Sequence, residues 1–378
     1  MDTILYVGGF RLPDGNAAGP RVLNNAKILR DMGYNVVFID VADEVSGDIS
    51  DTLKKIDGFD CYSQKYPRGI EWFEYLTLIS DVKKVFGRYA NIKGIIVYNY
   101  QAGAFFKLKA FCKKKHVKLY ADCTEWYRKR KNPIKNIDSD LRMKKIQKEI
   151  DGVIAISRYL YEYYKPYTNT VLIPPLNDCD EEKWCRDNGE NECLTFSYAG
   201  SPGRHKDKLN MIIEALERIN TEKKYKFNVI GITKEQYLEY YPEHSEILEK
   251  MSDRVLFKGR VTRAEVLSDL KKSDFSVFFR PDTLVSKAGF PTKYAEAVTC
   301  GVPVIANLTS NIGDYLKDGI NGFVIDGFSA AAIKDAFERV FALSDEELGK
   351  MKFYCRKNNR VFHYKKFETE MRNLIGKQ

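Results

Sequence analysis

A chain of 378 residues that is 44% hydrophobic and 30% charged has the balance of a globular protein and the length for two separate cores. No uninterrupted apolar run approaches the length that crosses a bilayer, and the N-terminus goes straight into a strand-like run with no basic region before it. Neither a transmembrane helix nor a signal peptide is therefore expected. The eight cysteines are scattered without CxxC pairs, which favours reduced thiols in a cytoplasmic protein over a disulfide scaffold.

The net charge of +9 is uneven. Residues 101–150 hold 15 Lys/Arg against 5 Asp/Glu, so the rest of the chain is close to neutral. That block contains Lys113, Lys114, Lys115, Lys118 and the run Arg128-Lys129-Arg130-Lys131. Two readings fit: a solvated surface, or a face for anionic lipid or a phosphorylated acceptor. No recognised nucleic-acid module accompanies it, which argues against nucleic acid as a partner.

In chain order, TILYVG (3–8) reads as a buried first strand, followed by a loop from Gly8-Gly9 to Gly19-Pro20. A helix is expected from near Arg21 to Gly33, and then a second strand, NVVFIDV. Strand, glycine loop, helix, strand opens a doubly wound α/β domain, whose ligands sit at the carboxyl ends of its strands. The loop is not GxGxxG, so the dinucleotide fingerprint is missing. Further strands are expected at 94–100, 117–123, 151–157 and 171–178, and the polar stretch 179–192 reads as a linker after a first domain of residues 1–178. The same grammar restarts at LTFSYAG. Strands at YKFNVIG, RVLFKG, FSVFFR, VPVIAN and GFVID make a second domain over 193–345. The charged amphipathic segment 346–378 is a candidate to cross back to the first domain. Two Rossmann-like halves of this kind are expected to face each other across a cleft.

Several stretches carry candidate chemistry. GSPGRHKDK, Gly200 to Lys208, puts a glycine turn after a strand, with Arg204 and Lys206 or Lys208 near a helix start; backbone N–H groups and cations there suit a diphosphate, and a solvated basic loop is the alternative. The turn FKGRV, with Arg260 and Val261, offers backbone groups to a nucleobase edge. GFPTKYAEAVTCGVPVIAN (289–307) reads as a loop, a helix capped by Thr292, a glycine stop and a buried strand. On that helix Lys293 can meet a phosphate and Glu296 can accept from ribose hydroxyls; an ordinary surface Lys/Glu pair is the plainer reading. In the first half, Asp122 and Glu125 follow a buried strand, as a base for an acceptor hydroxyl or as helix caps. Tyr98, Asn99, Tyr100 and Gln101 end the preceding strand and suit an acceptor pocket. The triplets Asp138-Ser139-Asp140 and Asp178-Cys179-Asp180 fall in a loop and the linker, not after a strand entering a nucleotide site. The four histidines lack ligand spacing, so no metal is expected.

The segments YAGSPGRHKDKL, VLFKGRV, PTKYAEAVTCGVPVIA and SNIGDYLKDGINGFVI resemble those of the GT-B retaining glycosyltransferases of family 4, the glycosyl transferases group 1. The resemblance implies the GT-B fold and a metal-independent transferase with a nucleoside-diphosphate sugar as donor and no cofactor. A glycan or lipid-pyrophosphate acceptor is implied, in surface polysaccharide or glycoconjugate synthesis, with the basic residues 107–131 at the inner face of a membrane. It implies Glu296 on the ribose, and Arg204 with Lys206 or Lys208 on the diphosphate, where Arg204 and Lys208 stabilise the leaving group. Gly8, Gly9 and Gly19 would approach donor or acceptor, and, where the family's first glutamate is missing, the backbone of Lys287, Gly289 or Phe290 would shape the sugar end. The family's first glutamate, eight positions before Glu296, is Ala288 in this chain. That departure keeps open a sugar-nucleotide epimerase or hydrolase, or a non-catalytic nucleotide or glycan binder.

Overall fold

The computed structural model describes residues 1–126, 132–185, 191–204 and 206–376. The chain divides into two compact units, one of residues 1–177, 288–290 and 364–378, the other of 178–287 and 291–363. Among the described residues, each is built on one largely parallel sheet.

The first unit's strands are β1 (Thr3–Gly8), β2 (Asn35–Ala42), β3 (Lys54–Ile56), β4 (Phe59–Lys65), β5 (Ile92–Tyr98), β6 (Lys118–Cys123), β7 (Gly152–Ala155) and β8 (Thr170–Leu172). They pair in the order β3-β4-β2-β1-β5-β6-β7-β8, all parallel except the β3–β4 edge. Continuous apolar runs such as Ile4-Leu5-Tyr6-Val7 are buried at every position, as strands covered by helices on both faces must be. Its helices include α1 (Ala18–Asp31), α2 (Glu71–Tyr75), α3 (Ser80–Phe86), α4 (Ala102–Lys115) and α5 (Pro133–Lys144). Helix α1 starts three residues before the expected Arg21; its N-cap is Ala17, and the Asn16 side chain just before it accepts the otherwise unpaired N–H groups of Ala18 and Gly19 (3.2 and 3.1 Å). The C-terminal helix Glu368–Ile375 adds Met371, Leu374 and Ile375 to the same core as Ile4, Tyr6 and Val22.

The second unit's sheet is β11-β10-β9-β12-β13-β14, all parallel, with β9 (Leu194–Ala199), β10 (Tyr225–Ile230), β11 (Val255–Gly259), β12 (Phe275–Phe278), β13 (Val304–Ala306) and β14 (Gly322–Val324). Phe196 on β9 stacks on Phe275 and meets Phe337 and Phe341 edge-on. Edge-to-face aromatic contacts of this kind add about 0.5–1.5 kcal/mol each beyond the area they bury. Within the stretch expected to be a linker, Trp184 is buried at the end of a 3-10 turn, Glu182–Trp184. None of the described helices is long and apolar enough to cross a membrane.

Candidate functional site

At the carboxyl edge of the second sheet, β9 ends in Gly200, whose φ of 134° is a backbone region that a side chain disfavours. A Cβ there would lie 3.3 Å from the Lys293 Nζ, so the turn and the lysine are packed together. The helix Thr292–Thr299 holds Lys293 in its first turn. Pro291, not the expected Thr292, is its N-cap, and no side chain caps it. β12 runs out through Phe279 to Arg280, and Asn307 beyond β13 fixes the Arg280 backbone by accepting its N–H (2.9 Å) and donating to its carbonyl (2.7 Å).

The ends of β9 and β12 and the first turn of the helix Thr292–Thr299 converge on Asp207. Its carboxylate accepts from Arg280 Nε (2.8 Å), Lys293 Nζ (2.6 Å) and the Tyr198 hydroxyl (2.6 Å). The Lys293 ammonium also lies 3.8 Å from the centre of the Tyr198 ring, a cation–π contact. Asp207 is 1% exposed and the Lys293 side chain 11%. Burial by itself would raise the Asp207 pKa, but Lys293 and Arg280 outweigh it and hold the carboxyl well below the usual range. Burial lowers Lys293, Asp207 opposes that, and the neighbouring Arg280 adds to it, leaving the ammonium at about 8. Two cations thus share one carboxylate, so the cluster keeps a surplus positive charge at a strand edge. Asp207 and Arg280 were not picked out in the sequence; a charged residue directly after the apolar run FSVFF was the available sign for Arg280.

The other residues expected here lie around this core. Arg204 and Lys206 are exposed in the loop between Gly200 and the helix Leu209–Glu217, and the Arg204 carbonyl accepts the Tyr241 hydroxyl (3.1 Å). Lys208 caps that helix and donates its backbone N–H to the Phe279 carbonyl (2.7 Å). Glu296, three residues beyond Lys293, forms an ion pair with Arg263 Nη2 at 2.8 Å, a partner that the sequence did not suggest. Arg260 is exposed and Val261 half-buried after β11. Phe290 is buried, and Ala288, at the position of the expected first glutamate, is fully buried with its carbonyl accepting the Ser157 hydroxyl (2.7 Å).

In the first unit the two carboxylates after β6 part company. Asp122 has no exposed surface. It accepts from Arg21 Nε (2.9 Å) and Nη2 (2.7 Å), from the Tyr6 hydroxyl (2.6 Å) and from Asn25 (3.3 Å). Arg21 spends its Nη1 on the Ile173 and Pro174 carbonyls. This is a neutral, closed pair tying α1 to the sheet, and the expectation that Asp122 serves as a base for a bound acceptor does not fit a carboxylate so enclosed. Glu125 instead lines an open cavity of about 780 Å³ with Gly9, Tyr66, Trp72, Tyr98, Asn99 and Gln101. Gly8 and Gly19 have packing reasons for being glycine. A Cβ on Gly8 would meet the Tyr98 carbonyl oxygen at 2.5 Å, and one on Gly19 the Arg11 carbonyl oxygen at 2.5 Å.

Of the Asp-x-Asp triplets, Asp138 lines that cavity and accepts the Ala102 N–H at the start of α4 (2.8 Å), while Asp140 pairs with Lys144. Asp178 and Asp180 come together with His363, an approach that spacing along the chain concealed. Asp180 is paired with Arg360 (2.6 Å) and lies 3.3 Å from His363 Nε2, and His363 Nδ1 accepts the Cys179 N–H, so contacts within the protein account for the grouping. The basic run 128–131 lies outside the described residues.

Residues 181–360, just under half of the chain, match the sequence family described as glycosyl transferases group 1. No curated protein sequence matches the chain. Among solved structures, it is similar to sucrose-phosphate synthase from Thermosynechococcus elongatus, at 14% identity and a TM-score of 0.75 over 98% of this chain and 97% of that one. HepE from Anabaena, solved with UDP and glucose, superposes at 14% identity and a TM-score of 0.68 over 98% of each chain. The catalytic domain of starch synthase IV from Arabidopsis thaliana, bound to ADP and acarbose, gives 12% identity and 0.67 over the whole of both chains. At such identities the likeness speaks for architecture: the chain has the GT-B fold, two Rossmann-like α/β domains.

Proposed function

We propose that the protein is a retaining, metal-independent glycosyltransferase that moves a sugar from a nucleoside diphosphate to a glycan or lipid-linked acceptor, in the cytoplasmic synthesis of surface polysaccharide or glycoconjugate. The observation that carries this reading is the surplus positive charge of Arg280 and Lys293 over Asp207, beside the Gly200 turn. A buried cation without a full counter-charge is unfavourable until an anion arrives. A diphosphate would fill that role, with Arg204, Lys206 and Lys208 as further donors from the adjoining loop and Glu296 accepting from the ribose. The match of residues 181–360 to the glycosyl transferase family supports the same unit as the nucleotide-binding one.

As the bond from the anomeric carbon to the diphosphate oxygen breaks, negative charge gathers on the leaving group. Cations already held in place by Asp207 and Asn307 stabilise that charge without reorganising. The acceptor oxygen forms the new bond to carbon on the face that the diphosphate leaves, as retention requires, and its proton passes to a base, for which Glu125 is a half-buried carboxylate lining the first unit's cavity. Aromatic faces of Tyr66, Trp72 and Tyr98 suit the apolar faces of sugar rings.

The test is calorimetric titration with UDP, GDP and ADP, followed by assay of the matching nucleotide sugars. At least one diphosphate is expected to bind, and Glu296→Ala is expected to weaken it by about tenfold, the worth of a lost charged hydrogen bond. Unchanged affinity in that variant would sink the ribose assignment. Release of nucleotide at the same rate with or without any acceptor would point to a hydrolase or epimerase, and tight binding without turnover of any donor to a binding protein.

A further inference from the structure

Glu296 does not stand alone where the ribose is expected. Arg263 Nη2 lies 2.8 Å from its Oε1, and the two side chains are 29% and 17% exposed, so the pair is neither closed off like Arg21 and Asp122 nor free in solvent. Arg263 opens the helix Arg263–Lys272, and the cap just before it fixes its backbone. The Thr262 hydroxyl accepts the Glu265 N–H (3.3 Å), and the Glu265 carboxylate accepts the Thr262 N–H (2.8 Å). Glu265 is thereby engaged with Thr262, and Glu296 is the carboxylate that balances Arg263. Among the described residues neither Arg263 nor Glu296 has a second side-chain partner, so guanidinium N–H groups and one carboxylate oxygen remain open.

The pair stands where the group next to a diphosphate would lie. Lys293 and Glu296 are three residues apart on one helix, hence on one face and about 4.5 Å apart along its axis. Lys293 turns to Asp207 beside Gly200. Glu296 lies nearly one turn further on, where a nucleoside diphosphate anchored at Lys293 carries its ribose. A carboxylate only accepts hydrogen bonds and a guanidinium only donates them, whereas each hydroxyl of a vicinal diol does both. A carboxylate by itself takes the two O–H groups and leaves their oxygens to water. With Arg263 alongside, one hydroxyl donates to Glu296 while the oxygen of the other accepts from the guanidinium.

We infer that Arg263 and Glu296 together form a vicinal-diol site, with Arg263 the residue that makes the pocket specific for a ribonucleotide. The inference rests on the proposed nucleotide reading and deepens it, since that reading asks only for an acceptor at Glu296. The charges of the pair cancel, so its task is to recognise the diol, and the diphosphate is left to Arg280 and Lys293. An ion pair this open to solvent adds little to stability, so the fold is expected to survive its substitution.

The experiment is calorimetric titration of the full chain with UDP, GDP and ADP, and with the 2′,3′-dideoxy form of whichever binds. The readout is the ratio of the two affinities, because an effect of charge on the diphosphate cancels in it. The wild type is expected to prefer the diol by about a hundredfold, from two charged hydrogen bonds at about tenfold each. Arg263→Ala is expected to lower that preference to about tenfold. Arg263→Lys, which keeps the charge but not the planar fork, is expected to fall between, and circular dichroism and Tm check that both variants are folded. An unchanged ratio in folded Arg263→Ala overturns the inference, even where both affinities fall together. If Glu296→Ala lowers the ratio and Arg263→Ala does not, the ribose reading stands and the role of Arg263 is lost. If neither lowers it, or if none of the three nucleotides binds, the ribose reading falls with the inference.

Discussion

The two units each bury a cluster of charge at the carboxyl edge of a parallel sheet, and the clusters are built to opposite ends. In the first, one aspartate meets one arginine, and the remaining donors and acceptors go to Tyr6, Asn25 and two carbonyls. In the second, one aspartate meets an arginine and a lysine. The first arrangement is complete and holds an element in place. The second is short of an anion. The number of charges, more than their burial, separates a structural network from a candidate binding site.

The largest effect should come from breaking the closed pair. Asp122→Ala leaves the Arg21 guanidinium buried and unpaired, and urea unfolding is expected to show a loss of about 3–5 kcal/mol. A loss below about 1 kcal/mol would mean that the pair is dispensable and would reopen a chemical role for Asp122. Lys293→Met treats the other cluster in the reverse sense, since it leaves a neutral Asp207–Arg280 pair. Its stability should change by less than about 1 kcal/mol in either direction, while nucleoside diphosphate affinity falls by about thirtyfold. If stability collapsed as in Asp122→Ala, the two clusters would be alike after all.

A gentler probe is pH. Lys293 titrates at about 8 in the free protein, and a bound diphosphate favours its charged form. Affinity should therefore be fully present below pH 8 and decline above it, by about tenfold between pH 7 and pH 9.5. The same decline in Lys293→Met would assign the titration to another group. For folding the sign is the other way: with its folded value depressed, the ammonium is a burden below about 8 and ceases to be one as the lysine deprotonates.

Much of this architecture could be read from the chain. Runs such as NVVFID and VPVIAN are apolar at consecutive positions, which only a doubly covered strand tolerates, and they fall at β2 and β13. The hairpin of β3 and β4 escaped notice, because KKI sits half-exposed on an edge and FDCYSQK mixes polar and apolar residues. At the sites, local signals survived and distant ones did not. Gly200 and Lys293 stood out in their own segments, and Tyr98, Asn99 and Gln101 at the end of β5. The Asp207 contacts join residues 73 and 86 positions apart, and Arg21 lies 101 positions from Asp122. A single sequence does not say which polar residue at a strand end will be enclosed, so Asp122 looked as open as Glu125.

The helix Glu368–Ile375 carries a consequence for biogenesis. Its Leu374 packs so closely on β7 that a Cβ on Gly152 would lie 2.5 Å from the Leu374 Cδ1. These residues are translated after the whole of the second unit, yet they finish the core of the first. A chain cut after residue 363 would therefore keep every element of the second unit while the first lacked the Met371, Leu374 and Ile375 side of its core, although the first leads the chain.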